Sequence, residues 1–129
     1  MGNKAFVFDP KPSRIYPQKS LFSHILGQID DNNVGISGIE KFYDEELNNE
    51  EKINLPLRLT LDSNLQHLIR EELVNAQSNF HNIGSAAVLM DAENGEILSL
   101  ISLPDYDLNQ RISIKSDIYT NKITLGVYE

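Results

Sequence analysis

The stretch GSAAVLMDAENGEILSLISLPDYDLN, residues 84–109, decides the fold of this chain, because two apolar runs in it flank a short polar turn. The runs are residues 86–90 and 97–101, and both are rich in aliphatic side chains. Asn94 and Gly95 between them both tolerate the positive φ of a tight reversal, and an Asn-Gly step in this setting is a strong hairpin signal. The stretch therefore predicts a β-hairpin.

The turn and the faces of this hairpin allow further predictions. The Asp91 carboxylate can accept hydrogen bonds from the amides of the turn. Because neither strand has a polar face, we expect both faces of the hairpin to be covered. An isolated hairpin is only marginally stable in water, so it must belong to a larger sheet or pack against helices. We expect it to be part of an incomplete antiparallel sheet.

A helix is predicted over residues 63–80. Thr60, Asp62 and Ser63 are candidate caps, and Ser63 with Gln66 fits a capping box. Apolar residues form one stripe (Leu65, Leu68, Ile69, Leu73, Ala76, Phe80) and polar residues lie opposite it (Asn64, His67, Arg70, Glu71, Asn75). We place this helix across one face of the hairpin, after an extended segment, which makes the fold class α+β.

The remaining segments carry weaker signals. Extended structure is expected in three places, at residues 5–8, 21–28 and 57–61. Apolar residues at helical spacing predict a helix over residues 39–47, started by Ser37 or Gly38. The acidic and asparagine-rich residues 45–54 have little to bury, so they are interpreted as a solvated linker and as the best domain boundary.

Composition excludes several classes of protein. The chain has 129 residues, 40% of them hydrophobic, which is enough for one core. Its formal net charge of -8 argues against nucleic-acid binding, which depends on an excess of Lys and Arg. It has no cysteine, so neither a disulfide nor a thiolate metal site is possible. No apolar run approaches the length of a membrane helix and no signal-peptide pattern occurs, so we expect a soluble chain without a targeting segment.

No metal or cofactor site is predicted. Residues 30–41 superficially resemble a calcium-binding loop, but Val34 and Lys41 stand where liganding oxygens are needed. The histidines lack metal-ligand spacing and are expected at the surface or at helix ends: His24, His67 and His81.

No catalytic residue is predicted either. The motifs Ser-x-x-Lys, Ser-x-Asn, Lys-Thr-Gly and Gly-x-Ser-x-Gly do not occur in the sequence. A serine hydroxyl without a positioned base is a poor nucleophile. Asp105 and Asp107 could form an acid and base pair, but two carboxylates this close to Pro104 are more typical of turn formation.

Several short phrases follow one another along the chain in a distinctive order. They are Arg14-Ile-Tyr-Pro17, His24-Ile-Leu-Gly27, Gly35-Ile-Ser-Gly38-Ile-Glu40-Lys-Phe-Tyr43, Leu59-Thr-Leu-Asp62 with Leu65-Gln66, Val88-Leu-Met-Asp91, Asn94-Gly-Glu-Ile97 and Ser102-Leu-Pro-Asp-Tyr-Asp107-Leu-Asn109. Together they resemble class B penicillin-binding proteins, and division-type members more than elongation-type members. The resemblance implies structural or motif roles for Arg14, Tyr16, Pro17, Gly38, Glu40, Asp62, Gln66, Asp91, Gly95, Pro104, Asp107 and Asn109. Leu108 departs from the pattern, because the family commonly has proline there, which puts the local turn geometry in doubt.

The resemblance implies a division of the chain into two parts. Residues 1–55 look like part of the pedestal, or dimerisation, domain of such a protein. Residues 56–129 look like the N-terminal part of its transpeptidase domain, truncated before the nucleophile motif. The implied parent is a single-pass protein of the bacterial inner membrane, with both domains on the periplasmic or extracytoplasmic side.

The resemblance also implies an activity for the parent. In the family, a serine activated by lysine attacks a D-alanine carbonyl of a peptidoglycan stem peptide, and β-lactams acylate the same serine. This chain lacks those motifs, so we expect it alone to be non-catalytic. The implied partners are the rest of the parent chain, stem peptides and β-lactams in the full-length parent, and cell-division and glycan-polymerising membrane proteins.

Two further hypotheses remain open. The chain could instead be a protein-interaction module that acts by itself, pairing or forming a homodimer through an exposed sheet edge. Arg14 and Glu40 could form an ion pair across the pedestal segment, because charges among apolar neighbours need a partner. Alternatively, Arg14 is exposed and Glu40 is only a helix N-terminal charge favoured by the dipole.

Overall fold

The computed structural model describes residues 13–49, 51–52, 55–110 and 117–126. Its elements are helices α1 (Ser23–Leu26), α2 (Gly38–Phe42), α3 (Asp44–Leu47) and α4 (Ser63–Phe80), strands β1 (Ser85–Met90) and β2 (Ile97–Leu103), and a 3-10 helix (Asp117–Tyr119). The predicted α+β class is confirmed. The predicted extended residues 5–8 lie outside the described residues. No helix in the described part combines the length and the apolar character that crossing a bilayer requires.

The predicted hairpin is confirmed. Strands β1 and β2 pair antiparallel, with a bulge between Leu89 and Met90. The connecting turn is longer than a two-residue Asn-Gly loop, because the Gly95 N–H donates to the Asp91 carbonyl at 2.9 Å. Gly95 has a φ of +79°, whereas Asn94 keeps a negative φ. Of Asn94 and Gly95, only the glycine therefore needs the left-handed conformation. The β-bulge accommodates the additional residue at the register shift between the two strands.

The two strands differ in burial. Ile101 and Leu103 of β2 are almost completely buried, but Val88, Leu89 and Met90 at the end of β1 are exposed. The prediction that both faces of the hairpin are covered is therefore wrong for this end of β1 in the described part of the chain. The reason is the placement of α4, which packs mainly against β2.

The predicted helix over residues 63–80 is confirmed, but its cap and its packed face differ from expectation. The N-cap is Asp62, whose carboxylate accepts hydrogen bonds from the amides of residues 64 and 65. Gln66 closes no capping box, because its side chain points into the protein. Leu68 and Phe80 of the predicted apolar stripe are exposed. Leu65, Ile69, Leu73 and Ala76 of the stripe are partly buried, as predicted, and the fully buried residue of the helix is Gln66.

Two predicted extended segments have other conformations. Residues 21–28 contain helix α1, because turns beginning at Ser20 and Phe22 bring successive backbone N–H groups onto nearby carbonyls. Residues 57–61 form no strand, although they run beside β2. The Thr60 hydroxyl donates to the Ile97 carbonyl at 2.6 Å. A hydrogen bond from a side chain does not contribute to the backbone hydrogen-bond ladder that defines a strand.

The helix predicted over residues 39–47 is present as two short helices, α2 and α3, that meet at Tyr43. Ser37 is the N-cap residue of α2, as predicted, although its hydroxyl accepts from the Gln28 N–H instead of capping the helix. Gly38 begins α2 with a φ of +61°. A Cβ there would lie 2.6 Å from the Ile25 carbonyl oxygen, so the close contact between α1 and α2 requires glycine.

Candidate functional site

A buried ionic cluster joins residues that are far apart in the sequence. The Arg14 guanidinium lies 3.3 Å from the Glu40 carboxylate and also donates to the Leu47 carbonyl at 3.1 Å. The Tyr16 hydroxyl donates to the other oxygen of Glu40 at 2.9 Å. Only 7% of Glu40 is exposed. The structure therefore contains the Arg14–Glu40 ion pair, and the alternative of an exposed Arg14 with an unpaired Glu40 is wrong.

The cluster satisfies the carboxylate that it buries. A buried carboxylate is costly unless it is paired and hydrogen-bonded, and Glu40 has one partner on each oxygen. Burial, followed by the hydrogen bond to Glu40, raises the pKa of the Tyr16 hydroxyl well above its ordinary value. Tyr16 therefore remains a hydrogen-bond donor over the physiological pH range.

Asn109 joins this cluster to the loop after β2. Its side-chain oxygen accepts from the Tyr16 N–H at 3.0 Å, and its side-chain nitrogen donates to the Tyr16 carbonyl at 2.8 Å. The Asp107 carboxylate accepts from the Asn109 backbone N–H at 2.9 Å and so orders the turn. Asp107 thus has the turn-forming role that its sequence context favours. Pro17, next to Tyr16, is exposed.

Gln66 makes an equivalent connection to β2. Its side-chain nitrogen donates to the carbonyls of Leu21 and Leu100, both at 2.8 Å. Its side-chain oxygen accepts from the Leu100 N–H at 3.0 Å and from the Ser99 hydroxyl at 2.8 Å. All four hydrogen-bonding positions of the amide are filled, and the side chain is 1% exposed. Gln66 therefore occupies the outer edge of β2 as a short strand would.

Arg70 and Asp105 form an ion pair that the sequence analysis missed. Arg70 Nε and Nη2 donate to the two carboxylate oxygens of Asp105, the second at 3.1 Å. The hydrogen bond to Asp105 raises the pKa of the Arg70 guanidinium. Arg70 had been placed on the exposed side of α4, and no local pattern relates it to a residue 35 positions later. Asp105 is thus held by a cation on α4, which argues against its role in an acid and base pair.

His24 lies at the end of a helix and contacts the loop after β2. Its Nε2 lies 3.1 Å from the Pro104 carbonyl oxygen, and its ring packs edge-on against Tyr106. Burial lowers the pKa of the His24 imidazole. The Tyr106 hydroxyl donates to the Ser23 carbonyl at 3.3 Å, and burial raises its pKa to about 12. Of the two predicted placements, the structure has the helix end, because His24 lies in the last turn of α1, which turns its partly buried ring toward the loop after β2.

The remaining motif residues lie apart from these connections. The Asp91 carboxylate accepts from the Glu93 N–H at 2.8 Å, as predicted, and together with Gly95 it shapes the tip of the hairpin. Asp62 begins α4 and donates its N–H to the Leu98 carbonyl at 2.9 Å. Pro104 follows a cis peptide bond.

The structure thus brings five of the predicted residues into one network: Arg14, Tyr16, Glu40, Asp107 and Asn109. Their hydrogen bonds connect them to one another, to backbone groups and to the Asn48 side chain. Across the described residues, no three His, Asp or Glu side chains are grouped in a way that could hold a metal ion. The arrangement connects segments that are distant in the sequence through hydrogen bonds and an ion pair.

Comparisons with known proteins give a consistent result, although no protein-family model matches the chain. The chain is 32% identical to stage V sporulation protein D of Bacillus subtilis, over 90% of this chain and 22% of that protein. It is 28% identical to the probable peptidoglycan D,D-transpeptidase FtsI of Caulobacter vibrioides, over 100% of this chain and 22% of the relative. It is 27% identical to peptidoglycan D,D-transpeptidase FtsI of Escherichia coli, over 90% of this chain and 24% of the relative.

Solved structures agree with these sequence comparisons. Penicillin-binding protein 3 of Mycobacterium tuberculosis matches 77% of this chain with a TM-score of 0.64 and 25% identity, over 24% of that structure. A peptidoglycan synthetase of Bifidobacterium adolescentis shares the fold, with a TM-score of 0.63 and 20% identity, over 74% of this chain and 22% of that structure. The chain thus spans less than one quarter of the length of each of these proteins. Its relatives and structural neighbours are class B penicillin-binding proteins, and the chain corresponds to one segment of their length.

Proposed function

We propose that this chain is a non-catalytic segment of a peptidoglycan D,D-transpeptidase that acts in cell division. Residues 1–55 contribute to the pedestal domain of that protein, and residues 56–129 form the start of its transpeptidase domain. The FtsI proteins of Caulobacter vibrioides and Escherichia coli support this proposal, because they align with 100% and 90% of the chain.

The two edges of the hairpin carry the structural part of the proposal. The outer edge of β2 is occupied by groups of the same chain, namely the Gln66 amide, the Asp62 N–H and the Thr60 hydroxyl. Among the described residues, no second strand pairs with β1, whose last three residues expose apolar side chains. The sheet can therefore grow only at β1. An edge of this kind needs a partner strand, and a longer transpeptidase chain would supply one.

The role of the segment is to fix the pedestal part against the transpeptidase part. Tyr16 bonds to Asn109, and the Leu21 carbonyl bonds to Gln66. Each of these hydrogen bonds crosses the proposed boundary near residue 55. Because backbone groups on one side pair with side-chain amides on the other, the two parts cannot rotate independently without leaving polar groups unpaired.

The activity belongs to the whole protein. There, a lysine-activated serine outside this chain would attack a D-alanine carbonyl of a stem peptide, D-alanine would leave, and an amine of a neighbouring stem would take the acyl group. Stem peptides, β-lactams, and the division and glycan-polymerising membrane proteins are thus proposed partners of the full-length protein. We place it in the bacterial inner membrane, with this segment on the extracytoplasmic side.

The test is a labelled penicillin applied to two proteins. The 129-residue chain alone should remain unlabelled, and the protein extended past Glu129 through a Ser-x-x-Lys motif should be labelled. Alanine in place of the serine of that motif is the matched control and should abolish labelling. A gene without such a motif downstream, or a folded extended protein that stays unlabelled, would contradict the proposal.

The exposed edge of β1 also favours the second candidate, an interaction module that forms homodimers. Analytical ultracentrifugation of the chain distinguishes the two. Under the first proposal, adding the downstream chain should abolish any dimer, because its own strand covers β1. Under the second, the dimer should persist in the extended protein. A Val88→Lys substitution on the exposed end of β1 should weaken dimers in either case.

A further inference from the structure

Two buried polar atoms on α1 have no hydrogen-bond partner in the described part of the chain. They are the Ser23 hydroxyl oxygen and His24 Nδ1. Ser23 is only 2% exposed, so its hydroxyl has no access to bulk water. Buried polar groups without a partner are rare in folded proteins, and each needs a physical explanation. The two atoms do not bond to each other, so a third group must satisfy them.

The tautomer of His24 fixes what its free nitrogen needs. Nε2 lies 3.1 Å from the Pro104 carbonyl oxygen, and a carbonyl oxygen can only accept. Nε2 therefore carries the proton. Because burial keeps the imidazole neutral by lowering its pKa, Nδ1 presents a lone pair and needs a donor. The Ser23 hydroxyl, in contrast, can both donate and accept.

A small cavity lies beside both residues. Its lining includes Ser23, His24, Ser102 and Asp105, together with neighbouring residues of β2 and of the turn before α1. Its volume of about 10 Å³ is close to the least that holds one water molecule. Ser102 and Asp105 already bond to the Lys122 N–H and to Arg70, but their oxygens retain free lone pairs.

We propose that this cavity binds a single water molecule that donates a hydrogen bond to His24 Nδ1 and accepts one from the Ser23 hydroxyl. Its second proton is available to an oxygen of Ser102 or of Asp105, which also line the cavity. The water thus connects α1 to β2 and to the loop that follows it. It adds a bridge between the same two parts of the chain that Gln66 and Asn109 join directly, and it does not depend on the proposed enzymatic parent.

The direct test is a crystal structure of the 129-residue chain at a resolution that shows ordered waters. The proposal requires a density peak within about 2.7–3.2 Å of both Ser23 Oγ and His24 Nδ1. It also requires the Nε2–H tautomer, which the ¹⁵N chemical shifts of the His24 ring report in solution. A cavity without density, or an Nδ1–H tautomer, would overturn it.

A pair of serine variants gives a second test in solution. If the water is bound, Ser23→Ala removes one of its partners and lowers Tm relative to the wild type. If the site is dry, the same change removes an unsatisfied hydroxyl and leaves Tm unchanged or higher. Ser78→Ala, at an exposed position of α4, is the matched control and should change Tm little. A Tm of Ser23→Ala equal to or above that of the wild type would refute the bound water.

Discussion

Replacing Gln66 with alanine should destabilise this chain more than an alanine substitution at an exposed position of α4. The side-chain amide makes four hydrogen bonds, two of them with the Leu100 N–H and carbonyl and one with the Leu21 carbonyl. The Ser99 hydroxyl can rotate to find another partner, but backbone groups cannot. Each buried group left unpaired costs about 1–3 kcal/mol. If two of the three backbone groups remain without a hydrogen-bond partner, the free energy of unfolding falls by about 2–6 kcal/mol.

That loss is a large part of the total stability expected for a domain of this size, about 5–15 kcal/mol. Urea unfolding followed by far-UV circular dichroism measures it, provided that the m-value is unchanged between variants. Gln77→Ala is the matched control, because Gln77 lies on the same helix and makes only an exposed bond to the Asn82 carbonyl. The control should change stability by less than about 0.5 kcal/mol. Equal losses for the two variants would refute the reasoning.

Gln66→Glu separates hydrogen bonding from packing, because it keeps the size of the side chain. The new carboxylate would face the carbonyl oxygens of Leu21 and Leu100, which only accept. The folded state should therefore raise the pKa of this carboxyl above its unfolded value. Its stability deficit relative to the wild type should be greatest near neutral pH and should shrink as pH falls and the carboxyl becomes a donor. A deficit independent of pH would show that the amide donor is not what matters.

Three further predictions concern the connections between segments. Arg14→Ala should lower the free energy of unfolding by about 1.5–3 kcal/mol, because it leaves the buried Glu40 carboxylate without its cation. The control Lys41→Ala, at an exposed position, should change it little. Equal melting temperatures of the two variants would contradict the ion pair. The folded state lowers the pKa of the His24 imidazole, so the unfolded state binds the proton more tightly. The contribution of His24 to the free energy of unfolding should therefore be constant above about pH 6.5. Below that pH, the free energy of unfolding should fall by up to about 1.4 kcal/mol per pH unit. His24→Asn should remove this part of the pH dependence in pH-dependent thermal unfolding, and an unchanged profile would contradict it. Gly95→Ala should lower the free energy of unfolding by about 1–2 kcal/mol, because of its left-handed backbone alone. Gly38→Ala should lower it clearly more, because the new Cβ also meets backbone carbonyls. Urea unfolding measures both losses, and similar values would argue against that close contact.

The motif residues show which interactions could be predicted from the sequence and which could not. Their order along the chain identified the family, and the Arg14–Glu40 pair was one of two explicit hypotheses. Gln66 was assigned to a capping box, because sequence offers only near neighbours as partners for a side chain. Its partners are backbone groups 34 and 45 residues away. The Arg70–Asp105 ion pair and the contacts of His24 with the loop after β2 could not be predicted for the same reason.

The sequence by itself determined the elements whose causes are local: the hairpin of residues 85–103, with its glycine at the turn, and the helix α4, with its N-terminal carboxylate cap. Turn chemistry, capping and periodicity act within a few residues, so they can be read directly along the chain. Only the tertiary structure decided that Gln66 is the fully buried residue of α4 and which edge of the sheet is already filled. Those outcomes depend on side-chain amides that pair with the backbone of distant segments, and no spacing within a segment encodes where such a partner lies.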